Sequence, residues 1–173
     1  GLNKIALINL SWIVSKEVDI VDEFKQIIPL LKDGGYAVIV VPHVIRDSGS
    51  DLKLCNDFAN LLDPHKTFAV QNLLTPANIR WLCTLASVVV TGRMHLAVIG
   101  LSMSVPSITI STNGKVEGLY RLFQFPHGAV DLATGLGRKI YKALGARELD
   151  KAQISINENL VSLKQLSSEN FVQ

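Results

Sequence analysis

Short apolar runs without a helical period, each followed by a stretch that has one, constrain this fold more than any other feature. They are Lys4–Leu10, Tyr36–Pro42, Ser87–Thr91 and Pro106–Ser111, with a weaker one at Thr67–Val70. A strand that is apolar on both sides suits a parallel sheet covered on both faces. Val18, Val21, Phe24, Ile27, Ile28 and Leu31 recur at three and four, which predicts one amphipathic helix over Glu17–Lys32, closed by Gly34-Gly35. Asp51–Leu62 reads as a second helix, stopped by Asp63-Pro64. Thr75-Pro76 opens a third that runs to Ala86, an N-cap followed by proline at the first helical position. His95–Met103 and Lys115–Phe123 follow as helices, and Gln124–Gly137 shows no firm element. Leu149, Ala152, Ile156, Leu160 and Leu163 then predict a long, one-faced C-terminal helix within 146–173, which docks on this domain or reaches beyond it. Strands and helices alternate through short crossovers. The expected fold is therefore α/β: a doubly wound, mostly parallel, Rossmann-like three-layer αβα sheet in a single domain over 1–173.

Composition narrows the function classes. The chain is 48 % hydrophobic and 18 % charged, which fits a globular domain and not a disordered one. Seventeen basic against fifteen acidic residues leave a formal charge of +2, too balanced for a nucleic-acid binder. The longest apolar stretch, Leu96–Ile110, is broken by Gly100, Ser102, Ser104 and Pro106, so no transmembrane segment is expected and any membrane association would be peripheral to the inner membrane. Gly1-Leu2-Asn3-Lys4 leads straight into a strand. That abrupt start predicts no signal peptide, and an excised domain whose N-terminal partner domain is missing. Cys55 and Cys83 sit in apolar helical patterns and read as reduced structural thiols of a cytoplasmic protein.

In a doubly wound sheet, ligands bind beyond the carboxyl ends of the strands. Three segments lie there. In Val88-Val89-Val90-Thr91-Gly92-Arg93-Met94-His95 a buried strand empties into glycine, arginine and histidine at the start of a helix. Unpaired N–H groups and the helix dipole favour an anion at that point. Arg93 adds a planar fork for carboxylate or phosphate, His95 a titratable donor, and Gly92 room for close backbone approach. The plainer alternative pairs Arg93 with a surface acid and leaves His95 to cap packing. The second segment is Val41-Pro42-His43-Val44-Ile45-Arg46, with Asp51 at the expected N-cap of the next helix; it also reads as a solvated turn. The third, Ser111-Thr112-Asn113-Gly114-Lys115-Val116-Glu117-Gly118, suits an anion or a sugar, or simply a capped turn, and its spacing is not that of a Walker loop. His65 and His127 read as solvated loop residues. Trp12 and Trp81 read as packing residues, with Trp12 also placed to line the cleft. No zinc-ligand spacing, nucleophile elbow or dinucleotide glycine fingerprint is present.

Residues 90–108, from Val90-Thr91-Gly92-Arg93-Met94-His95 to Val105-Pro106-Ser107-Ile108, resemble the Arg-x-His segment of the polysaccharide pyruvyl transferase family. The turn at Asn113–Leu119 and the Pro42-His43 pair with downstream Asp51 match the same family in order. The resemblance covers roughly residues 1–125, and the terminal helix more loosely. It implies the C-terminal half of a two-domain protein of glycosyltransferase-B architecture. It also implies transfer of a pyruvyl group from phosphoenolpyruvate to a hydroxyl of a sugar or glycan in cell-surface polysaccharide biosynthesis, with no further cofactor. Arg93, Gly92 and Met94 would then hold the donor, and His95 would act as acid or anion ligand. His43, Arg46, Asn113, Lys115 and Glu117 would complete the substrate site. Two alternatives stand beside this: a nucleotide-sugar glycosyltransferase, with Glu117 on the ribose, and a non-catalytic glycan- or partner-binding module.

Overall fold

The computed structural model describes residues 4–112 and 114–169, and side chains as far as residue 165. Among these residues six strands form one sheet: β1 Lys4–Asn9, β2 Tyr36–Val40, β3 Thr67–Ala69, β4 Val88–Thr91, β5 Ser107–Ser111 and β6 Ala129–Asp131. Their order is β3-β2-β1-β4-β5-β6, and every neighbouring pair is parallel. The doubly wound Rossmann-like sheet is therefore present. Successive side chains of a strand leave on opposite faces. Ala6, Ile8, Val88 and Val90 accordingly join one apolar cluster, and Leu7 and Val89 the other, all at 0 % exposure. Helix α1 (Ile20–Lys25), α3 (Leu52–Ala59) and α7 (Leu136–Ala143) supply Phe24, Phe58 and Ile140 to the first. Helix α4 (Pro76–Leu85) and α5 (Met94–Ser102) supply Ile79, Cys83 and Leu96 to the second.

The single helix expected over Glu17–Lys32 is two helices, α1 and α2 (Ile28–Asp33), preceded by a 3-10 turn at Val14–Lys16. Asp19 caps α1 by accepting from the Asp22 N–H at 3.1 Å. Pro29 forces the division, because it has no N–H to offer the preceding turn and its ring crowds that turn. Proline is tolerated only in a first turn, and that is its place in α2.

The stretch 124–137 is not featureless. It holds a 3-10 turn, edge strand β6 and the start of α7. Three residues with one buried side chain, Val130, carry too little pattern to read as a strand. Helix α6 (Gly114–Leu122) is fixed to β5 by Tyr120, whose hydroxyl donates to the Ser107 carbonyl at 2.7 Å and shares a 2.6 Å hydrogen bond with Thr109. After Gly145 the final helix, α8, runs over Ala146–Glu169; the expected residues 170–173 lie outside the described ones. It docks on this domain. Ala152, Ile156 and Leu160 are buried, Gln153 donates to the Ser104 carbonyl at 2.7 Å, and Ser155 donates to the Phe123 carbonyl at 2.8 Å.

Cys55 and Cys83 are free and buried. Burial pushes their thiols up to about 12 and about 11, which makes them poor nucleophiles near neutrality. Trp81 departs from its expected packing role and is 61 % exposed. It lies two positions from both Ile79 and Cys83, roughly the opposite side of α4 from its buried face. No helix among the described residues is long and apolar enough to cross a membrane.

Candidate active site

The strand order reverses between β1 and β4, so the crevice of this sheet opens beyond the carboxyl ends of those two strands. The polar residues there are buried, which requires partners for them. Asn9, the last residue of β1, donates through Nδ2 to the Val41 carbonyl at 3.0 Å and to Asp51 Oδ2 at 3.2 Å. Thr91, the last residue of β4, donates to Asn9 Oδ1 at 3.1 Å and accepts the Arg93 N–H at 2.9 Å. The ends of β1, β2 and β4 are thereby tied side by side.

Asp51 is the centre of this network. It is 0 % exposed. Its Oδ1 accepts from the Trp12 N–H at 2.8 Å, and its Oδ2 accepts from the N–H groups of His43 and Val44 at 3.2 and 3.1 Å. Arg93 closes a fork on the same carboxylate, with Nη2 to Oδ1 at 2.6 Å and Nε to Oδ2 at 3.2 Å. Asp51 occupies the N-cap position of α3, but its side chain makes no capping bond; Ser50 accepts the Leu52 N–H instead. Arg93 is paired with an acid, but with a buried one and not the surface acid of the plainer reading, and its own side chain keeps only 11 % exposure.

Around that pair stand the other candidates. Arg93 is the N-cap of α5 and makes no side-chain cap, so the N–H groups of Met94 and His95 begin the helix. His95 is exposed, Met94 is half-buried with its side chain against the core, and His43 is half-buried. The His43 imidazole is held below the ordinary histidine value, chiefly by burial, then by the positive charges of Arg93 and His95 against the opposing pull of Asp51. His43, Arg93 and His95 therefore share one neighbourhood. In a proton-resonance titration His43 is expected to titrate below about 6.5. Folded His43 binds its proton less tightly than the unfolded chain does. Its contribution to stability is complete above about pH 6.5 and is lost as pH falls through its lowered folded value.

Gly92 also has a packing role that the sequence did not suggest. A Cβ there would stand 2.5 Å from Ser11 Cβ and 3.0 Å from Val14 Cγ2. The glycine lets the segments after β1 and β4 pack against one another. Gly92→Ala is expected to cost about 1–3 kcal/mol through overpacking, read as a lowered melting temperature.

Arg46 is exposed on the loop between β2 and α3. Lys115 and Glu117 lie on the first turn of α6, beyond β5 and one strand along the edge from Arg93. Lys115 is exposed; Glu117 is half-buried, with a buried Oε2 that has no hydrogen-bond partner among the described residues. Asn113 lies outside the described residues. Asp63-Pro64-His65 and His127 are exposed, and among the described residues no group of three or more His, Cys, Asp or Glu side chains could hold a metal ion. Asn9 and the tying roles of Thr91 and Asp51 were missed in the sequence. The available signal was polar residues ending otherwise apolar buried strands.

The family model described as polysaccharide pyruvyl transferase matches residues 3–114, well over half of the chain and the whole of the Asp51–Arg93 network. The chain belongs to the polysaccharide pyruvyl transferase family. No curated protein matches it in sequence. Among solved structures it is similar to the glycosyltransferase VinC in complex with dTDP, at 11 % identity and a TM-score of 0.60 over 94 % of this chain and 38 % of that one. The trehalose 6-phosphate synthase from Burkholderia multivorans gives 12 % identity and a TM-score of 0.59, over 94 % and 39 %. The glycosyltransferase SnogD from Streptomyces nogalater gives 14 % and 0.53, over 93 % and 40 %. At these identities the likeness is one of fold, the glycosyltransferase-B type. This family member spans about two-fifths of the length of those structures.

Proposed function

We propose that this chain is the donor-binding half of a pyruvyl transferase that takes phosphoenolpyruvate and a sugar hydroxyl or, for a ketal, two hydroxyls. The observation that supports it best is the arrangement of Arg93, His95 and His43 beyond β4. Arg93 is held in a fixed orientation at the first turn of the nine-residue α5, beside His95 and His43. Phosphoenolpyruvate carries a carboxylate and a phosphate. Those groups call for a forked guanidinium and a helix N-terminus. In ketal formation the methylene carbon gains a proton and C2 becomes oxocarbenium-like. One sugar oxygen bonds to C2 as its hydroxyl proton is lost. A second sugar oxygen bonds to C2 in turn and gives up its own hydroxyl proton, as the phosphate C2–O bond breaks with the electron pair leaving on the phosphate oxygen. His95, exposed at the helix start, supplies either the first proton or charge for the departing phosphate. The acceptor would sit between this chain and an N-terminal half that completes the crevice, in the cytoplasm where phosphoenolpyruvate is available.

A second reading, a nucleotide-sugar donor, draws on Glu117. Its buried Oε2 has no partner among the described residues and is the kind of acceptor that ribose hydroxyls use. Thermal melts of the full-length protein with phosphoenolpyruvate, and separately with dTDP and UDP, test both. A ligand that binds only the folded state raises the melting temperature. A rise with phosphoenolpyruvate alone supports pyruvyl transfer. A rise with a nucleotide alone overturns it in favour of the second reading.

A further inference from the structure

We infer that Asp51 is the positioning residue of this anion site: it fixes which edge of the Arg93 guanidinium meets a ligand. The inference rests on the donor-binding reading above and deepens it. A guanidinium has two edges able to fork onto an oxyanion, Nε with one terminal nitrogen, or the two terminal nitrogens together. Asp51 occupies the first, through Nε and Nη2. The edge left for a ligand is the Nη1–Nη2 edge, which still offers a fork.

The carboxylate is itself immobile. Apart from Arg93, its partners are three backbone N–H groups and the Asn9 amide, drawn from the ends of β1 and β2. All of these groups are donors, and only a carboxylate accepts from all of them. An asparagine at this position would turn an NH2 toward donors in either orientation, and the fork on Arg93 would be lost. A glutamate would push its carboxylate one methylene into a site with no exposed surface. The pair is close to neutral overall, so the ligand is met by directed hydrogen bonds and the α5 terminus more than by a free positive charge. Lysine at 93 could answer Asp51 with a point charge but would have no second edge to present.

The test uses the full-length protein. The Arg93 Nε–H resonance is followed in the wild type, Asp51→Asn and Arg93→Lys, and kinetics with phosphoenolpyruvate are measured on each. In the wild type the Nε–H is expected to exchange slowly with solvent, with or without phosphoenolpyruvate. Asp51→Asn is expected to abolish that protection and raise the KM for phosphoenolpyruvate at least tenfold, with a smaller change in kcat. Arg93→Lys is expected to lose phosphoenolpyruvate binding to a similar extent although the charge is kept. A rapidly exchanging Nε–H in the wild type overturns the inference, and this reading needs no folded variant. A folded Asp51→Asn protein with unchanged KM overturns it as well. Wild-type protein that shows a protected Nε–H but no response to phosphoenolpyruvate overturns the donor reading and leaves the orientation of Arg93 upheld.

Discussion

Arg93→Ala is expected to lower the melting temperature by on the order of 10 °C, before any question of ligand arises. Removing the guanidinium leaves a carboxylate at 0 % exposure with its charged partner gone. Breaking a buried pair from one side typically costs about 3–5 kcal/mol, because the remaining charge is stranded. For a domain of this size each kcal/mol shifts the midpoint by about 2–4 °C. The remaining partners, three backbone N–H groups and the Asn9 amide, keep the carboxylate from being wholly unsatisfied, which sets the loss near the lower half of that range. Thermal denaturation by circular dichroism reads it. A variant that melts with the wild type would mean that water replaces the guanidinium at no cost, and that Asp51 is not sealed. His95→Ala, at an exposed position, is expected to melt within a degree or two of the wild type, since exposed substitutions usually stay within about 0.5 kcal/mol. A loss of binding in Arg93→Ala therefore mixes two causes, whereas a loss in His95→Ala has one.

Gly137→Ala is the second large effect, and it lies far from the crevice. Gly137 sits in the first turn of α7, where its N–H donates to Glu23 Oε2 at 2.6 Å. A Cβ there would collide with the backbone carbonyl of Glu23, and with its carbonyl carbon at 2.9 Å. Glu23 belongs to α1, and α1 is anchored by Ile20 and Phe24, both at 0 % exposure. The obstruction is backbone and cannot turn aside as a side chain can. Relief requires α7 to withdraw from α1, which would open the packing of Leu136 and Ile140. The expected cost is about 3 kcal/mol, the upper part of the range for overpacked cores, and urea denaturation would measure it. An unchanged midpoint would mean that α7 is not seated on α1 as described.

Much of the fold was legible because its central strands are short, apolar and uninterrupted. Val88-Val89-Val90 and Ile5-Ala6-Leu7-Ile8 admit few other readings once helices flank them. The errors have local causes. The apolar spacing of Val18–Leu31 continues across Pro29, and periodicity alone hid the break that the ring imposes. Strand β6 carries one buried residue, and its pairing with β5 is tertiary information. The site was half legible. Arg93 and His95 announce themselves by standing at a helix start where the dipole disfavours them. The partner of Arg93 did not. Asp51 lies 42 residues away, and before a helix an aspartate reads as an ordinary N-cap. Gly92 was recognisable as a point of close approach, but the sequence does not say that the approaching group is Ser11.

The measurement that bears most directly on the donor site is calorimetric titration of phosphoenolpyruvate into the full-length protein and into His95→Ala. The account predicts saturable binding in the first and at least a tenfold loss of affinity in the second, at an unchanged melting temperature. Equal affinities in the two proteins, or no binding to the wild type, would contradict it.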